Sequence, residues 1–287
     1  MCKTNTNELV SLVIPVYNEA PHLAACLRAI ARQTVLPYQV IVVDNNSTDG
    51  SSSIAASFSF VQLLHEPRQG VVHARSTGFN AASGSIIGRI DADTIIADNW
   101  IESLQRIFKE SDIDAVSGSV YYYDIPTPRL SGVLDLYFRQ RLADQLGSET
   151  FLYGANMAIK AETWRTIAGQ TCTAAGLHED FDLAIHAESS GAVVVFDRTL
   201  QASVSLRRFE GGLRDFWHYT QLSPQTYKRH GRTSQRHMYS VIFIVIVMYW
   251  FIWLNHAIYD ADQQRVSYKR LLSGGTVGRV NPATFVD

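Results

Sequence analysis

Asp91 and Asp93 stand on either side of Ala92, where a short apolar stretch, Ile86-Ile-Gly-Arg-Ile90, runs out. The stretch is β-branched and preceded by Gly84, which predicts a buried strand over 86–90. Side chains alternate across an extended chain, so both carboxylates are expected on one side of it. Two like charges that close repel each other unless a cation lies between them. A hard divalent ion with oxygen ligands fits that need and keeps positions open for phosphate oxygens. A solvated turn accounts for the same three residues, because Asp is common in turns. The neighbouring strand ends weigh toward the ion.

Those elements follow from the periodicity of the chain. Leu9 to Val16 is a first strand, ending at Tyr17-Asn-Glu19, and Leu23, Leu27 and Ile30 then recur at helical spacing. Gln39 to Asp44 is a second strand, followed by dense turn chemistry in Asn45-Asn-Ser-Thr-Asp-Gly50, with Asp49 placed to cap a helix from Ser51. Residues 60–64 form a third strand and 71–83 a third helix, and after the Asp pair a helix carries Trp100, Leu104, Ile107 and Phe108 on one face. Tyr121 to Arg129 is a turn-rich break, 133–146 a helix, and Phe151 to Ile159 a strand interrupted by Gly154. A short helix over 161–168, a helix from Gly176-Leu-His-Glu-Asp-Phe-Asp-Leu183 to near Gly191, and a strand over 192–196 complete this part. Strands alternating with helices predict an α/β fold whose central sheet is mostly parallel and flanked by helices. Ligands of such sheets bind beyond the carboxyl ends of the strands. Three successive ends carry Tyr17 and Glu19, then Asp44, then Asp91 and Asp93, which favours a nucleotide site there.

Composition narrows the classes. A formal net charge of −2 gives no basic excess for nucleic-acid binding. Cys2, Cys26 and Cys172 make no disulfide framework, and the first ten residues lack the apolar core of a signal peptide, so a cytoplasmic catalytic domain is expected. His73, His186 and Cys172 read as structural, since no metal-ligand spacing joins them.

Six segments, in order, carry a resemblance: Ser11-Leu-Val-Ile-Pro-Val-Tyr-Asn-Glu19, Val42-Val-Asp-Asn-Asn-Ser-Thr-Asp-Gly50, Ala74-Arg-Ser-Thr-Gly78, Asp91-Ala-Asp93, Gly154-Ala-Asn156 and His178-Glu-Asp-Phe-Asp-Leu183. Together they resemble a family 2 inverting glycosyltransferase with the nucleotide-diphospho-sugar transferase (GT-A) fold, over roughly residues 8 to 200. The resemblance implies a nucleotide-sugar donor, most often a UDP-sugar, and Mg2+ or Mn2+. It places Pro15, Tyr17 and Glu19 at the nucleoside, Asp44 at the base, and Arg75 against the base and diphosphate. Asp91 falls near the ribose and metal, Asp93 is the main metal ligand, and Gly154 and Asn156 lie near the donor sugar. Asp180 matches the catalytic base, with Glu179 beside it. Acids at a helix start also favour the helix dipole and cap it, and Asp182 is read that way. His178 contacts acceptor or diphosphate, or is a plain loop histidine.

The catalytic unit is taken as 8–205 and a helical extension as 206–287. Arg207 and Arg208 suit phosphate oxygens or form a solvated basic patch. The Gln-x-x-Arg-Trp motif of related processive synthases is not found here, which favours one sugar per acceptor. Lys228, Arg229, Arg232 and Arg236 precede a charge-free run, Tyr239 to Leu254, extendable to Tyr259. Residues 239–259 are therefore a candidate membrane segment, spanning or lying in the interface, with a buried helix as the other reading. An anchor there points to a lipid-linked or membrane-proximal acceptor. Two other functions compete: an inactive nucleotide-sugar-binding scaffold, and a dinucleotide-dependent oxidoreductase. Pro15-Val-Tyr-Asn-Glu-Ala-Pro21 in place of a Gly-x-Gly-x-x-Gly turn argues against the second of these.

Overall fold

The computed structural model describes residues 8–127, 151–207 apart from Ala175, and 212–232, with isolated positions between 132 and 137 and between 239 and 266. The elements run β1 (Val10–Val16), α1 (Ala20–Ala31), β2 (Gln39–Asp44), α2 (Ser51–Ala56), β3 (Val61–His65), α3 (Val71–Ala81), β4 (Ile86–Arg89), β5 (Ile95–Ile96) and α4 (Trp100–Glu110). They continue as β6 (Ala115–Tyr122), β7 (Met157–Lys160), α5 (Ala161–Ile167), α6 (Glu179–Ser189), β8 (Val194–Val204) and α7 (Gly212–Arg229). Most of the helix expected over 133–146, and most of 239–259, lies outside the described residues. Among the described residues no helix is long and apolar enough to cross a membrane.

The first strands are apolar at consecutive positions because both faces of the sheet are covered. Leu12, Ile14, Val16, Val40, Val42 and Ile86 pack on one face with Leu23, Leu27 and Ile30 of α1 and Trp100, Leu104 and Ile107 of α4. Val13, Ile41, Val43 and Ile87 point the other way, onto Phe79 of α3, Trp164 of α5 and Leu183 and Ala184 of α6. This is the period-two alternation of a sheet with two buried sides.

Strand order is β3-β2-β1-β4-β7-β6-β8-β5. The pairings β3-β2, β2-β1, β1-β4 and β6-β8 are parallel. β7 runs antiparallel between β4 and β6, and β5 antiparallel to β8. The sheet is thus α/β and helix-flanked as expected, parallel in its first half and mixed in its second. Three departures from the expected elements lie in that second half. β6 carries Ser117, Gly118 and Ser119 at its centre, which hides the strand pattern; inside the fold Ser117 Oγ accepts the Tyr153 N–H at 2.7 Å and Ser119 Oγ donates to the Arg198 carbonyl at 3.1 Å. The strand expected over 151–159 starts only at Met157, because the chain turns at Gly154-Ala155. β8 runs to Val204, well past 196.

The loops leaving β1, β2 and β3 are knitted into one rim. Asn18 and Asn46 adopt φ of 53° and 66°, a left-handed geometry that Asn tolerates. Asn18 Oδ1 accepts the Thr48 N–H at 2.7 Å, and Ser51 Oγ accepts the Glu19 N–H at 2.8 Å. Asp49, expected to cap α2, accepts the Ser51 N–H at 3.1 Å and also the Ala20 N–H at 2.9 Å, so one carboxylate serves two helix starts. The Asn45 side chain donates to the Glu66 and Arg68 carbonyls and accepts the Gly70 N–H at 2.7 Å.

Glu66 closes this rim. Its carboxylate accepts Arg68 Nε at 2.9 Å, the Arg68 N–H at 2.9 Å and the Thr77 hydroxyl. The Arg68 bond is the largest of the influences that bring its pKa down from 4.5 to about 2, against the opposing effect of burial. In the unfolded chain the group returns to its ordinary value, so its contribution is complete above 4.5 and is lost as pH falls toward 2. Glu66→Gln is therefore expected to lower stability at neutral pH and to flatten the pH dependence of urea unfolding across that window. An unchanged acid limb in the variant would show that Glu66 does not act this way.

Candidate active site

Glu19, Asp91 and Asp93 converge beyond the carboxyl ends of β1 and β4. Glu19 precedes the first turn of α1, and a turn closed by the Thr94 N–H on the Asp91 carbonyl at 3.0 Å carries the two aspartates. This turn replaces the strand alternation expected to set both carboxylates side by side. Cys26 on α1 lies beneath them: burial raises its thiol pKa first, and the charges of Asp93, Asp91 and Glu19 add to the rise. Each aspartate has its own guanidinium. Arg89 Nη2 donates to Asp91 Oδ1 at 3.1 Å, whereas Arg207 Nη2 donates to Asp93 Oδ2 at 2.7 Å and to Glu19 Oε2 at 2.8 Å. The donor set fits a hard divalent cation, since it is all oxygen and its joint field already draws a cation between Glu19 and Asp93.

Arg89 is the link from this floor to α6. Its side chain, 2% exposed, comes from the last position of β4. Nη1 bonds Asp180 Oδ1, and Nη2 lies 3.6 Å from Glu179 Oε1 as well as against Asp91. Asp180 Oδ2 accepts the Gly154 N–H at 2.8 Å. Gly154 is there because nothing larger fits: a Cβ on it would overlap the Arg89 guanidinium and stand 2.7 Å from Asp180 Oδ1. Burial pushes the Asp180 carboxyl above its ordinary range, with Glu179 and Asp91 adding like charge while Arg89 and His178 pull it back. Glu179 feels the same burial, but the charges of His178, Arg89 and Arg75 prevail and hold it below the ordinary range. Two adjacent carboxyls are thus pushed apart in proton affinity.

The remaining expected residues divide. Asp44 ends β2 in register with Val16 of β1 and His65 of β3, accepts the Ser47 N–H at 3.2 Å and lies 3.7 Å from His65 Nδ1. Pro15 and Tyr17 are half-buried on the same rim. Arg75, expected against the base and diphosphate, is instead 0% exposed beneath α6. Its Nη1 donates to the Glu179 carbonyl at 3.0 Å and its guanidinium carbon sits 5.8 Å from the Trp164 ring, so it supports α6 from behind. Asn156, expected near the donor sugar, is 0% exposed: Nδ2 donates to the Ser119 and Leu200 carbonyls and Oδ1 accepts from Trp100 Nε1 at 2.8 Å. With those atoms used inside the fold, it locks β6, β8 and α4 together.

His178 precedes α6 and is buried; its Nε2 lies 2.9 Å from the Tyr219 hydroxyl of α7, and its N–H donates to Thr226 Oγ1 at 2.8 Å. Arg207 proves to be neither solvated nor remote, and Arg208 lies outside the described residues. Arg89 was not assigned a role from the sequence. The signal was present, since a lone arginine inside a β-branched run must find buried partners.

Two substitutions probe this network. Arg89→Met leaves three acids without their shared guanidinium and is expected to lower stability by about 3–5 kcal/mol. Gly154→Ala forces the Arg89–Asp180 pair apart and is expected to lose about 1–3 kcal/mol by overpacking. Urea unfolding reads both; values near zero would mean that the pair does not hold α6 to β4.

The comparisons with known proteins agree with this fold. Residues 11–167, more than half of the chain, match the model of Glycosyl transferase family 2. Glycosyltransferase GlyG of Streptococcus pneumoniae is 37% identical over 123 residues, 41% of this chain and 41% of that protein. Glycosyltransferase AglE of Haloferax volcanii is 37% identical over 126 residues, 42% of this chain and 41% of its own length. The chain therefore spans about two-fifths of the curated relatives it matches. The solved mannosyltransferase PcManGT from Pyrobaculum calidifontis, in complex with GDP-Man and Mn2+, superposes with a TM-score of 0.60 at 19% identity, over 92% of this chain and 85% of that one. Asp180, on α6, and Arg207, just past the end of β8, lie beyond the family match. By its matched segment and its mixed, helix-flanked sheet, this chain belongs to glycosyl transferase family 2 and has the GT-A fold.

Proposed function

We propose that this chain transfers one sugar from a nucleotide-diphospho-sugar, a UDP-sugar, to an acceptor hydroxyl with inversion at the anomeric carbon. The observation that carries the reading is the Arg89 guanidinium, which joins the candidate base Asp180 to the Asp91 turn. Pro15, Tyr17 and Asp44 line the rim for the nucleoside. Glu19, Asp91 and Asp93 would hold Mg2+ or Mn2+. When bound, the cation neutralises the negative charge that develops on the departing diphosphate.

The chain's own residues do the rest. Asp180 takes the proton of the acceptor hydroxyl as that oxygen bonds to the anomeric carbon. The bond from that carbon to the diphosphate oxygen breaks, and its electron pair leaves with the nucleotide. A single carboxylate acting opposite the leaving group gives one displacement, hence inversion, as in inverting glycosidases with the acceptor in place of water. Its raised proton affinity suits the task, and Arg89 with the Gly154 N–H keeps it oriented. Arg207, already between Glu19 and Asp93, is placed to meet diphosphate oxygens, which a guanidinium binds well. The charge-free run 239–254 behind four basic residues supports a lipid-linked or membrane-proximal acceptor.

One observation favours a second reading, a nucleotide-sugar-binding scaffold without turnover: arginines already neutralise Asp93 and Asp180. Nucleotide release from a panel of UDP-, GDP- and dTDP-sugars, with Mn2+, Mg2+ or chelator, separates the two. We expect metal-dependent release from a UDP-sugar, abolished by chelator and in Asp93→Ala. Asp180→Asn should lower kcat about 10²–10⁴-fold with little change in donor KM. Donor binding by calorimetry with no turnover, even with lipid-linked acceptor supplied, would favour the scaffold; undiminished kcat in Asp180→Asn would remove Asp180 as the base.

A further inference from the structure

Asp180 does not use the whole of α6. Two residues along a helix turn it by about 200°, so Asp182 faces away from Asp180, and His186 follows one turn later on that side. Cys172 from the loop after α5 and His230 from the residue after α7 meet them there. The ligand atoms of Cys172, Asp182, His186 and His230 all lie within 4.8 Å of one another. We infer that these four side chains form a structural Zn2+ site that pins α7 to the helix carrying Asp180.

The chemistry of the set selects the ion. One thiolate, one carboxylate and two imidazoles are the donors of a tetrahedral zinc site, and their two negative charges balance the ion. Glu19, Asp91 and Asp93, all oxygen, suit a harder cation, so the two sites differ in kind as well as place. Four protein ligands leave no open position, which marks a structural and not a catalytic centre.

The geometry is close to assembled. His230 Nε2 lies 2.9 Å and His186 Nε2 3.5 Å from the same oxygen, Asp182 Oδ1. The two imidazoles stand edge to face, with centroids 5.0 Å apart. His186 Nε2 is buried and makes no hydrogen bond. Asp182 Oδ2 accepts the Cys172 N–H at 2.8 Å, which orients the carboxylate and fixes the loop. Bond lengths of about 2.0 Å to nitrogen and about 2.3 Å to sulfur put tetrahedral ligand atoms about 3.3–3.6 Å apart. The largest separation, within 4.8 Å, exceeds that spacing by little more than about 1 Å. Arg229 lies beside the Cys172 thiol and is the cation that bound Zn2+ would displace.

What the ion would hold is specific. α7 supplies Thr226 and Tyr219 to His178 at the start of α6, and Tyr227 to Phe181. Tying His230 to Asp182 and His186 secures that contact from its far end. The inference does not depend on the sugar-transfer reading.

The test uses the full chain purified without chelator. Elemental analysis should find one tightly held zinc per chain. Replacement by Co2+ should give the thiolate-to-cobalt charge-transfer absorption and the visible bands of a tetrahedral site. Cys172→Ser should lose the charge-transfer band, His230→Gln should lose the tetrahedral bands, and Asp93→Ala should keep both. Zn2+ should raise the Tm of the wild type and not that of His230→Gln. Should Cys172→Ser fail to fold, His230→Gln, altered just past the end of a helix, decides alone. A chain that holds no zinc and gives no cobalt–thiolate band overturns the inference, as does a band that survives in Cys172→Ser or vanishes only in Asp93→Ala.

Discussion

A buried guanidinium needs carboxylates, and that need organises the centre of this molecule. Arg89 leaves the end of β4, a strand held between β1 and β7, with almost no access to solvent. An unpaired charge there would be very unfavourable, so its partners are fixed by the fold around it. Asp91 comes from its own turn, and Glu179 and Asp180 from the first turn of α6. Gly154 then has to be a glycine because its backbone crosses directly against the pair. Three separate stretches of chain, at 89–91, 154 and 179–180, meet at one side chain, and donor binding and base catalysis are proposed to rest on them.

The same logic applies at Arg207, with a different consequence. Arg89 is bonded on several sides and 2% exposed, whereas the Arg207 side chain is 15% exposed and reaches in from beyond β8. A guanidinium binds phosphate as readily as carboxylate. Under the proposed function Arg207 can therefore exchange Glu19 and Asp93 for a diphosphate, releasing those carboxylates to a divalent ion. Arg89 has no such freedom. One arginine is framework and the other is suited to respond to ligand, and burial makes the distinction.

How much of this was legible in the sequence follows from the kind of pattern each feature leaves. β1, β2 and α4 were readable because apolar residues at fixed period face a core, and Trp100, Leu104 and Ile107 are buried as their spacing requires. β6 was not, because its central Ser-Gly-Ser is satisfied by partners about 35 to 80 residues away that no local window contains. Arg75 and Asn156 sit in recognisable motifs, yet a motif records that a residue type is needed and not which way its side chain points. Both turn inward, one under α6 and one into the sheet. Cys172 and His186 were read as structural with no metal-ligand spacing between them, and His230 was given no role, for a related reason: their positions along the chain mean nothing until α7 folds back on α6.

The acids at the start of α6 show why a structural and a functional reading of one feature need not exclude each other. Glu179, Asp180 and Asp182 all lie in the first turn, where the helix dipole favours negative charge. That field offsets part of the desolvation that three nearly buried carboxylates would otherwise suffer. None of them acts as an ordinary cap, since His178 holds the capping position without a side-chain bond to the helix. Freed from capping, each carboxylate takes a partner according to its angle about the axis: Glu179 and Asp180 toward Arg89, Asp182 toward Cys172, His186 and His230. A helix start that stabilises charge in general is thereby able to present it in two directions, one facing Arg89 and the Asp91 turn and the other facing α7. The dipole makes the charges tolerable, and the 200° turn between Asp180 and Asp182, about what helix geometry dictates, keeps their roles apart.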